Sequence, residues 1–320
     1  MKNIKVLFIG DTHADEKAPE SRKDNYLETC VSKLRESFHV AQDRKCDYIV
    51  HLGDIFHKRE PSGVCRNSIL EVFQHDENGQ PWNIPIYIVV GNHDIQHNIQ
   101  NLPNSALGTL IEAGIINYVD EIPEFKIGFQ HFRSSIEEEL ENGALQKQNN
   151  IIYACHANIT KENFFGNFVL FDNVPVNPEC KLVVAGHIHF PIEVKRKNRP
   201  LFINPGSLVR NAMTDFNIAR MPQLLFVEYS LDGSTLKTEY IPIKYAVDAK
   251  QIFKVEENQI KKRESDDTSK YIQKINQMKI ITSEADKYDS LRESGKIQKL
   301  DQRIIDLAVS KLSEVNEESK

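Results

Sequence analysis

The chain has 320 residues, 40% hydrophobic and 27% charged, with a formal net charge of −6. Those proportions suit a globular protein with one large domain and at most one small one, and no apolar stretch approaches the ~20 residues of a membrane span. The acidic balance argues against a stand-alone nucleic-acid binder relying on bulk positive charge, but not against a nuclease whose metal ions or partner subunit supply that charge locally.

In chain order, IKVLFI (4–9) reads as a first core strand rather than a signal peptide, since it lacks a small-residue cleavage site and ends in GDTH, Gly10 to His13. Leu27, Val31, Leu34, Phe38 and Ala41 give Asn25 to Asp43 a helical stripe. DYIVHL (47–52) runs into GDIFH, Gly53 to His57, and a second amphipathic helix follows over Ser62 to Gln74. IPIYIVV (84–90) ends in GNHD, Gly91 to Asp94, before a third helix over Ser105 to Ala113. NIIYACH (150–156) ends in His156, KLVVAGH (181–187) opens GHIH at 186–189, and LFIN (201–204) leads into NPGS. These runs are β-branched and nearly continuous, as strands buried on both faces are, and their alternation with helices predicts an α/β sandwich. QLLFVEYS and LKTEYIPI flank the turn signal Asp232–Gly233 and form a hairpin that closes a sheet.

Beyond Val247 the character changes. The organisation expected is one domain over 1–246, a charged linker over 247–264 and a helical region over 265–320. Tyr271, Ile272, Ile275 and Met278 form one stripe, and Leu300, Ile304, Leu307, Ala308 and Leu312 another, with a helix start at Ser283 between them. Such short helices must dock on something. The five cysteines, Cys30, Cys46, Cys65, Cys155 and Cys180, form no CxxC pair. They read as buried reduced thiols of a cytosolic protein and argue against a cysteine-ligated zinc.

The chemistry sits where the apolar runs stop. Ligands in such sheets lie past the carboxyl ends of strands. Asp11, His13, Asp54, Asn92, His156, His187 and His189 all fall there, and together they make a ligand set for two divalent metals sharing one carboxylate, Asp54. Taken singly, each Asp is an ordinary turn residue and His156 an ordinary core histidine; seven at strand ends are not. Such a centre lowers the pKa of a bound water and cleaves phosphate esters. His93 reaches over the site without ligating, and Asp94 is expected to hold its imidazole in one tautomer, so that a protonated His93 serves the leaving-group oxygen.

The order GDxH, GDxxx, GNHD, His, GHxH resembles the calcineurin-like metallophosphoesterase superfamily over about Lys5 to Ser207, two thirds of the chain. That resemblance implies a four-layer α/β/β/α sandwich core with a small C-terminal helical region. Within it, GDIFHKREPS (53–62) is similar to the nuclease branch, the SbcD-type subunits of double-strand-break repair complexes, which bacteriophages also encode. The resemblance implies one metal on Asp11, His13, Asp54 and His189, the other on Asp54, Asn92, His156 and His187. It also implies that His57 places the DNA phosphate, that His93 is the acid and phosphate-positioning residue, and that Mn²⁺ is preferred over Mg²⁺, Fe²⁺ or Zn²⁺. The expected activity is that of a 3′→5′ exonuclease, with endonuclease activity as an extension. The expected partners are DNA, an SbcC-type coiled-coil ATPase docked by the C-terminal helices, and a second copy joined through the helices at Ser62 to Gln74 and Ser105 to Ala113. The expected location is the cytoplasm, or the host cytoplasm if the chain is phage-encoded. The sequence departs from the branch after GDTH, where ADEK replaces the usual Leu-Gly pair, and in its short tail.

Basic residues near the motifs, Lys58, Arg59, Lys195, Arg196, Lys197 and Arg199, are candidates for phosphate contacts, with a solvated surface as the alternative. Phe164 and Phe165 are candidates for base stacking or core packing, and His131 for a substrate-facing position. His39, His75 and His97 show no partner pattern and read as surface or helix residues. Ser207 reads as structural. Two rival functions remain: a small-molecule or cyclic-nucleotide phosphodiesterase or phosphatase on the same centre, and a metal-free binding scaffold. The scaffold predicts missing ligands, and none is missing.

Overall fold

The computed structural model describes residues 3–146, 149–162, 168–254 and 306. The chain divides into two units, Met1–Phe253 and Lys254–Lys320. The helical stripes expected over 265–320, and Phe164 with Phe165, lie outside the described residues.

The first strand, β1 (Ile4–Ile9), sets the pattern of the first unit. Its side chains alternate between two apolar clusters: Ile4, Val6 and Phe8 enter one, Leu7 and Ile9 the other. Both faces are covered, which is why the run is apolar throughout. Helix α1 (Tyr26–Asp43) starts at Asn25, whose side chain accepts from the Glu28 N–H, and it buries Cys30, Leu34, Phe38 and Ala41. Strand β2 (Tyr48–His51), helix α2 (Gly63–Gln74), capped by Ser62, and strand β3 (Ile86–Ile88) complete a parallel trio with β1. A short α3 (Asn92–Ile95) and α4 (Ala106–Glu112) follow.

The second sheet starts with β4 (Glu121–Ile122) and β5 (Ile127–Gln130), then α5 (Ile136–Glu141), β6 (Ile152–His156) and a small pair, β7 (Ile159–Thr160) with β8 (Val169–Leu170). It continues through β9 (Leu182–Gly186), β10 (Ile192–Val194) and β11 (Leu201–Asn204). After α6 (Asp215–Ala219), the hairpin β12 (Gln223–Tyr229) and β13 (Leu236–Pro242) returns to the first sheet, and α7 (Ala249–Ile252) follows. The sheets run β13-β12-β1-β2-β3 and β10-β11-β9-β6-β5-β4. The expected hairpin is present and extends the first sheet, pairing antiparallel with β1 in the register Val6 to Val227.

The two sheets pack face to face. Val6, Phe8, Val50, Leu52 and Leu225 of the first share a cluster with Ile127, Ile152, Leu182, Val184 and Ile203 of the second. Tyr48 and Tyr229 join hydroxyl to hydroxyl at 2.7 Å inside it, which satisfies two buried polar groups at once. Outside the first sheet lie α1, α2 and α4. Outside the second, Ile136 and Leu140 of α5 join Phe171 and Val174, so this fourth layer is mostly irregular chain. The result is the α/β/β/α sandwich. Strands β4 and β5 went unpredicted: the run at 127–130 is short and broken by Gly128. The first unit also runs beyond residue 246, because Ala249, Ile252 and Phe253 are buried and Phe253 bridges to Arg22.

Candidate metal centre

Within each sheet the central strands are parallel, so their carboxyl ends share an edge, and the polar strings expected as ligands follow those ends. The backbone there is unusual. His13, Asp54 and His187 all have positive φ, at 49°, 51° and 80°. Left-handed non-glycine residues are strained and cluster at functional sites. Here each is tied down: the Thr12 and His13 N–H groups both donate to the Asp54 carbonyl at 3.0 and 2.8 Å, and the His187 N–H donates to the Asp11 carboxylate at 3.1 Å. Gly53 has φ 101°, and a Cβ there would stand 2.4 Å from His156 Nδ1, so no side chain fits between the strand end and the ligand.

All seven predicted ligands converge, in two groups. Asp11, His13 and His189 form one cluster, and Asp54, His156 and His187 the other. Asn92 Oδ1 joins the second, 3.0 Å from His156 Nε2 and 2.9 Å from His187 Nδ1. Asp54 faces both: its Oδ2 is 3.5 Å from His13 Nε2 and 3.5 Å from His156 Nε2. His156 Nδ1 donates to the Leu52 carbonyl at 2.7 Å, which fixes the tautomer and leaves Nε2 for the centre.

The electrostatics fit cations. Burial holds His13 well below its ordinary range and lowers His187 to about 3 and His189 to about 4, so their imidazoles stay neutral with lone pairs free. Burial pushes Asp11 up to about 7, with Asp54's charge adding to it. Burial opposes charge on Asp54 as well, but His156 and His13 hold its carboxyl below the usual range. The same pairing, against burial, lifts His156 to about 10. Binding of a cation beside Asp54 and Asn92 would displace the proton that this pairing favours on His156. Imidazole nitrogens mixed with carboxylate and amide oxygens suit Mn²⁺, Fe²⁺ or Zn²⁺.

His57 and His93 stand at the mouth, exposed and half-buried. Their rings stack 5.1 Å apart, and they lie 5.7 and 4.7 Å from the His13 ring. The expectation that Asp94 orients His93 is overturned. The His93 Nδ1–H donates to the His57 carbonyl at 2.7 Å, while Asp94 is fully buried beneath it. Its carboxylate accepts the N–H groups of Asp54 (2.9 Å), Gly91 (3.0 Å), Ile55 (3.0 Å) and Phe56 (3.5 Å). Asp94 therefore staples the GNHD loop to the GDIF loop. His51 was missed: buried within β2, it links Thr12 Oγ1 at 2.9 Å to the Gly53 N–H at 3.3 Å. A histidine just before Gly-Asp was the available signal.

The basic candidates separate. Lys58 pairs with Asp15 at 2.8 Å and Arg59 with Glu60, and both line cavities beside His57. Lys195, Arg196, Lys197 and Arg199 belong to the turn between β10 and β11. Val194 is level with Val183, three rows before the end of β9, so this turn sits about 10 Å or more from the ligand edge. The expectation of phosphate contacts near the site from this turn is therefore corrected. Arg196 meets Asp172 at 3.2 Å, and Arg199 donates to the carbonyls of Phe171, Asp172 and Val174. His131 does not face the centre either: it is buried between the Val90 N–H and the Val119 carbonyl, 3.1 Å from each. Ser207 Oγ donates to the Val209 carbonyl, a structural bond as expected.

A family model described as calcineurin-like phosphoesterase matches residues 4–191. Among curated proteins, the chain is 24% identical over 257 residues to the double-strand break repair protein MRE11 of Encephalitozoon cuniculi, covering 66% of this chain and 43% of that protein. It is 25% identical over 215 residues to the double-strand break repair protein mre-11 of Caenorhabditis elegans, covering 54% and 29%. The chain thus spans less than half the length of these curated relatives. Among solved structures, a dimetal phosphatase from Danio rerio superposes with a TM-score of 0.45 at 11% identity, covering 75% of this chain and 99% of that one. A calcineurin-like phosphoesterase from Bacillus subtilis gives 0.45 at 12%, covering 77% and 92%.

Proposed function

The chain belongs to the calcineurin-like phosphoesterase family, and we propose that it is a Mn²⁺-dependent DNA phosphodiesterase, a 3′→5′ exonuclease with endonuclease activity, of a break-repair complex. One observation carries this reading: a stacked imidazole pair, His57 and His93, stands over a double ligand cluster in a chain whose curated relatives are named double-strand break repair proteins. Asp11, His13, Asp54 and His189 would hold one ion, and Asp54, Asn92, His156 and His187 the other. Two such ions supply Lewis acidity toward a phosphate and a water of lowered pKa.

The residues do the rest. The Nδ1 bond to the His57 carbonyl fixes the His93 ring and leaves Nε2 free, which in its protonated form serves the departing oxygen. His57, stacked on it, positions the phosphate. A partner ATPase of the SbcC type, docking by the region 265–320, and self-association through α2 and α4 belong to the same proposal, as does a cytoplasmic location. Among the described residues, no helix is long and apolar enough to cross a membrane.

A second reading, a small-molecule phosphodiesterase, draws on one fact: Lys58 and Arg59 beside the centre are paired with Asp15 and Glu60. Digestion of labelled duplex DNA with Mn²⁺, set against bis-p-nitrophenyl phosphate and cyclic nucleotides, decides between them. Loss of labelled ends, abolished by EDTA and by His93→Ala, is the expected result. Turnover of the small substrates with DNA left intact overturns the nuclease reading.

A further inference from the structure

Two cavities flank the ridge made by His57 and Lys58. One, of about 390 Å³, opens between the His57–Glu60 segment and the His93–His97 segment, on the side of Asn92. The other, of about 620 Å³, opens between the same ridge and Pro19, Tyr26 and Asn211. A monoester or a compact cyclic substrate needs room on one side of the reacting phosphate. A strand must leave it in two directions, and two open cavities meeting at the ridge provide them.

The smaller cavity carries a second, independent sign of use. Gln96 and His97 are consecutive non-glycine residues in the left-handed region, with φ 50° and 63°. Such a pair is costly and persists only where surrounding bonds enforce it. The His97 N–H donates to the Asn92 carbonyl at 2.9 Å, and Asn101 Nδ2 holds the Ile95 carbonyl at 2.9 Å. The effect is to set an exposed imidazole on the cavity wall, 6.4 Å from the His93 ring and edge-on to Phe132 at 6.0 Å. Phe132 is in turn stacked on His187 at 6.3 Å. Among the described residues, the His97 ring has no hydrogen-bond partner, so its nitrogens are open to a ligand.

We infer that this cavity is the subsite for the nucleotide next to the scissile phosphate, and that His97 is its specificity-determining contact, offering a ring face to the base or an N–H to the next phosphate. The inference rests on the nuclease reading and deepens it: the substrate is a strand rather than a single nucleotide ester. Stacking contacts of this kind change affinity about tenfold or more.

The test compares thymidine 5′-(p-nitrophenyl phosphate), which carries one nucleotide, with a short oligothymidylate, both with Mn²⁺. Two variants are used: His97→Ala, and His97→Asn, which tolerates the left-handed backbone. Both are expected to lower the ratio of oligonucleotide to ester kcat/KM about tenfold, chiefly through KM. Anisotropy of a fluorescein-labelled oligothymidylate in EDTA is expected to weaken in parallel. Equal losses on both substrates, or an unchanged ratio, overturn the subsite. Wild-type turnover of the ester with no cleavage of the oligonucleotide overturns the nuclease reading itself, a separate outcome.

Discussion

Asp94→Asn separates two roles for a carboxylate next to His93. Asp94 is 0% exposed. One oxygen takes the Ile55 and Phe56 N–H groups, the other those of Asp54 and Gly91. The amide keeps one oxygen and turns the other into a donor, so whichever way it faces, two buried N–H groups lose their acceptor. Each costs about 1–3 kcal/mol, roughly 4 in all. Burial and Asp54 lift this carboxyl to about 7, so removing it relieves part of that. A net loss of about 3 kcal/mol remains, or about 9 °C in Tm at 2–4 °C per kcal/mol. Thermal melts, Mn²⁺ titration calorimetry and a pH–rate profile on the same variant complete the test. The expected outcome is a lower Tm and weaker Mn²⁺ binding, because Asp54 at φ 51° loses its anchor, with the limbs of the pH profile in place. Wild-type Tm and Mn²⁺ affinity with a displaced alkaline limb would refute the reasoning and make Asp94 the tuner of His93.

Three further outcomes follow from buried groups. Burial pushes all five thiols up to about 12, so a thiol reagent at mild alkaline pH should label none in the native fold, and rapid labelling of any one would contradict its burial. Lys33, buried against the Leu208 carbonyl and lowered to about 7 by burial and then by Arg210, is charged in both folded and unfolded chains below pH 7. Above that the folded form sheds the proton that the unfolded form keeps to 10.5, so Lys33 by itself raises stability by about 2 kcal/mol between pH 7 and 9, an amount that the five thiols, raised from 9.0 to about 12 in the fold, offset by pH 9. Urea titrations should show stability changing over pH 7–9 by about 2 kcal/mol more favourably in the wild type than in Lys33→Met; equal pH dependence in both counts against it. Gly53→Ala forces a Cβ toward His156 Nδ1 in a backbone at φ 101°, and Mn²⁺ affinity measured by calorimetry should fall at least tenfold; wild-type affinity would show the loop can yield.

Much of this was legible because buried parallel strands impose long apolar runs, and ligands at their ends stop those runs abruptly. The ends of β1, β2, β3, β6 and β9 were marked in that way. What stayed hidden depends on contacts between distant segments. Asp94 is one residue from His93, so sequence proximity suggested a pair, yet the helical turn at 92–95 points the carboxylate inward to backbone on β2's loop. The 195–199 turn lies close in sequence to His189, but two antiparallel strands carry it down the sheet and away. His97 looked like any surface histidine, since its left-handed backbone and its cavity exist only once the chain is folded.

The support behind the centre is made of backbone bonds, and this explains why so few of its residues announce themselves. The segment after β11 touches both halves of the first ligand group: the Ser207 N–H donates to the His189 carbonyl at 3.1 Å and the Leu208 N–H to the Asp11 carbonyl at 2.8 Å. Its own four carbonyls, 207 to 210, are each taken by a cation: Arg220 on Ser207 and Val209, Lys33 on Leu208, Arg22 on Arg210. Asp24 pairs directly with one of these cations, Arg22. Burying so much positive charge on carbonyl dipoles is costly: burial, and then Arg210, lowers both Lys33 and Arg220. Arg220 is close enough to Asp11 for each to feel the other's charge. The cations therefore do two things at once: they hold the loop that backs His189 and Asp11, and through Arg220 they offset part of the charge on Asp11 that a pair of divalent ions would otherwise meet alone.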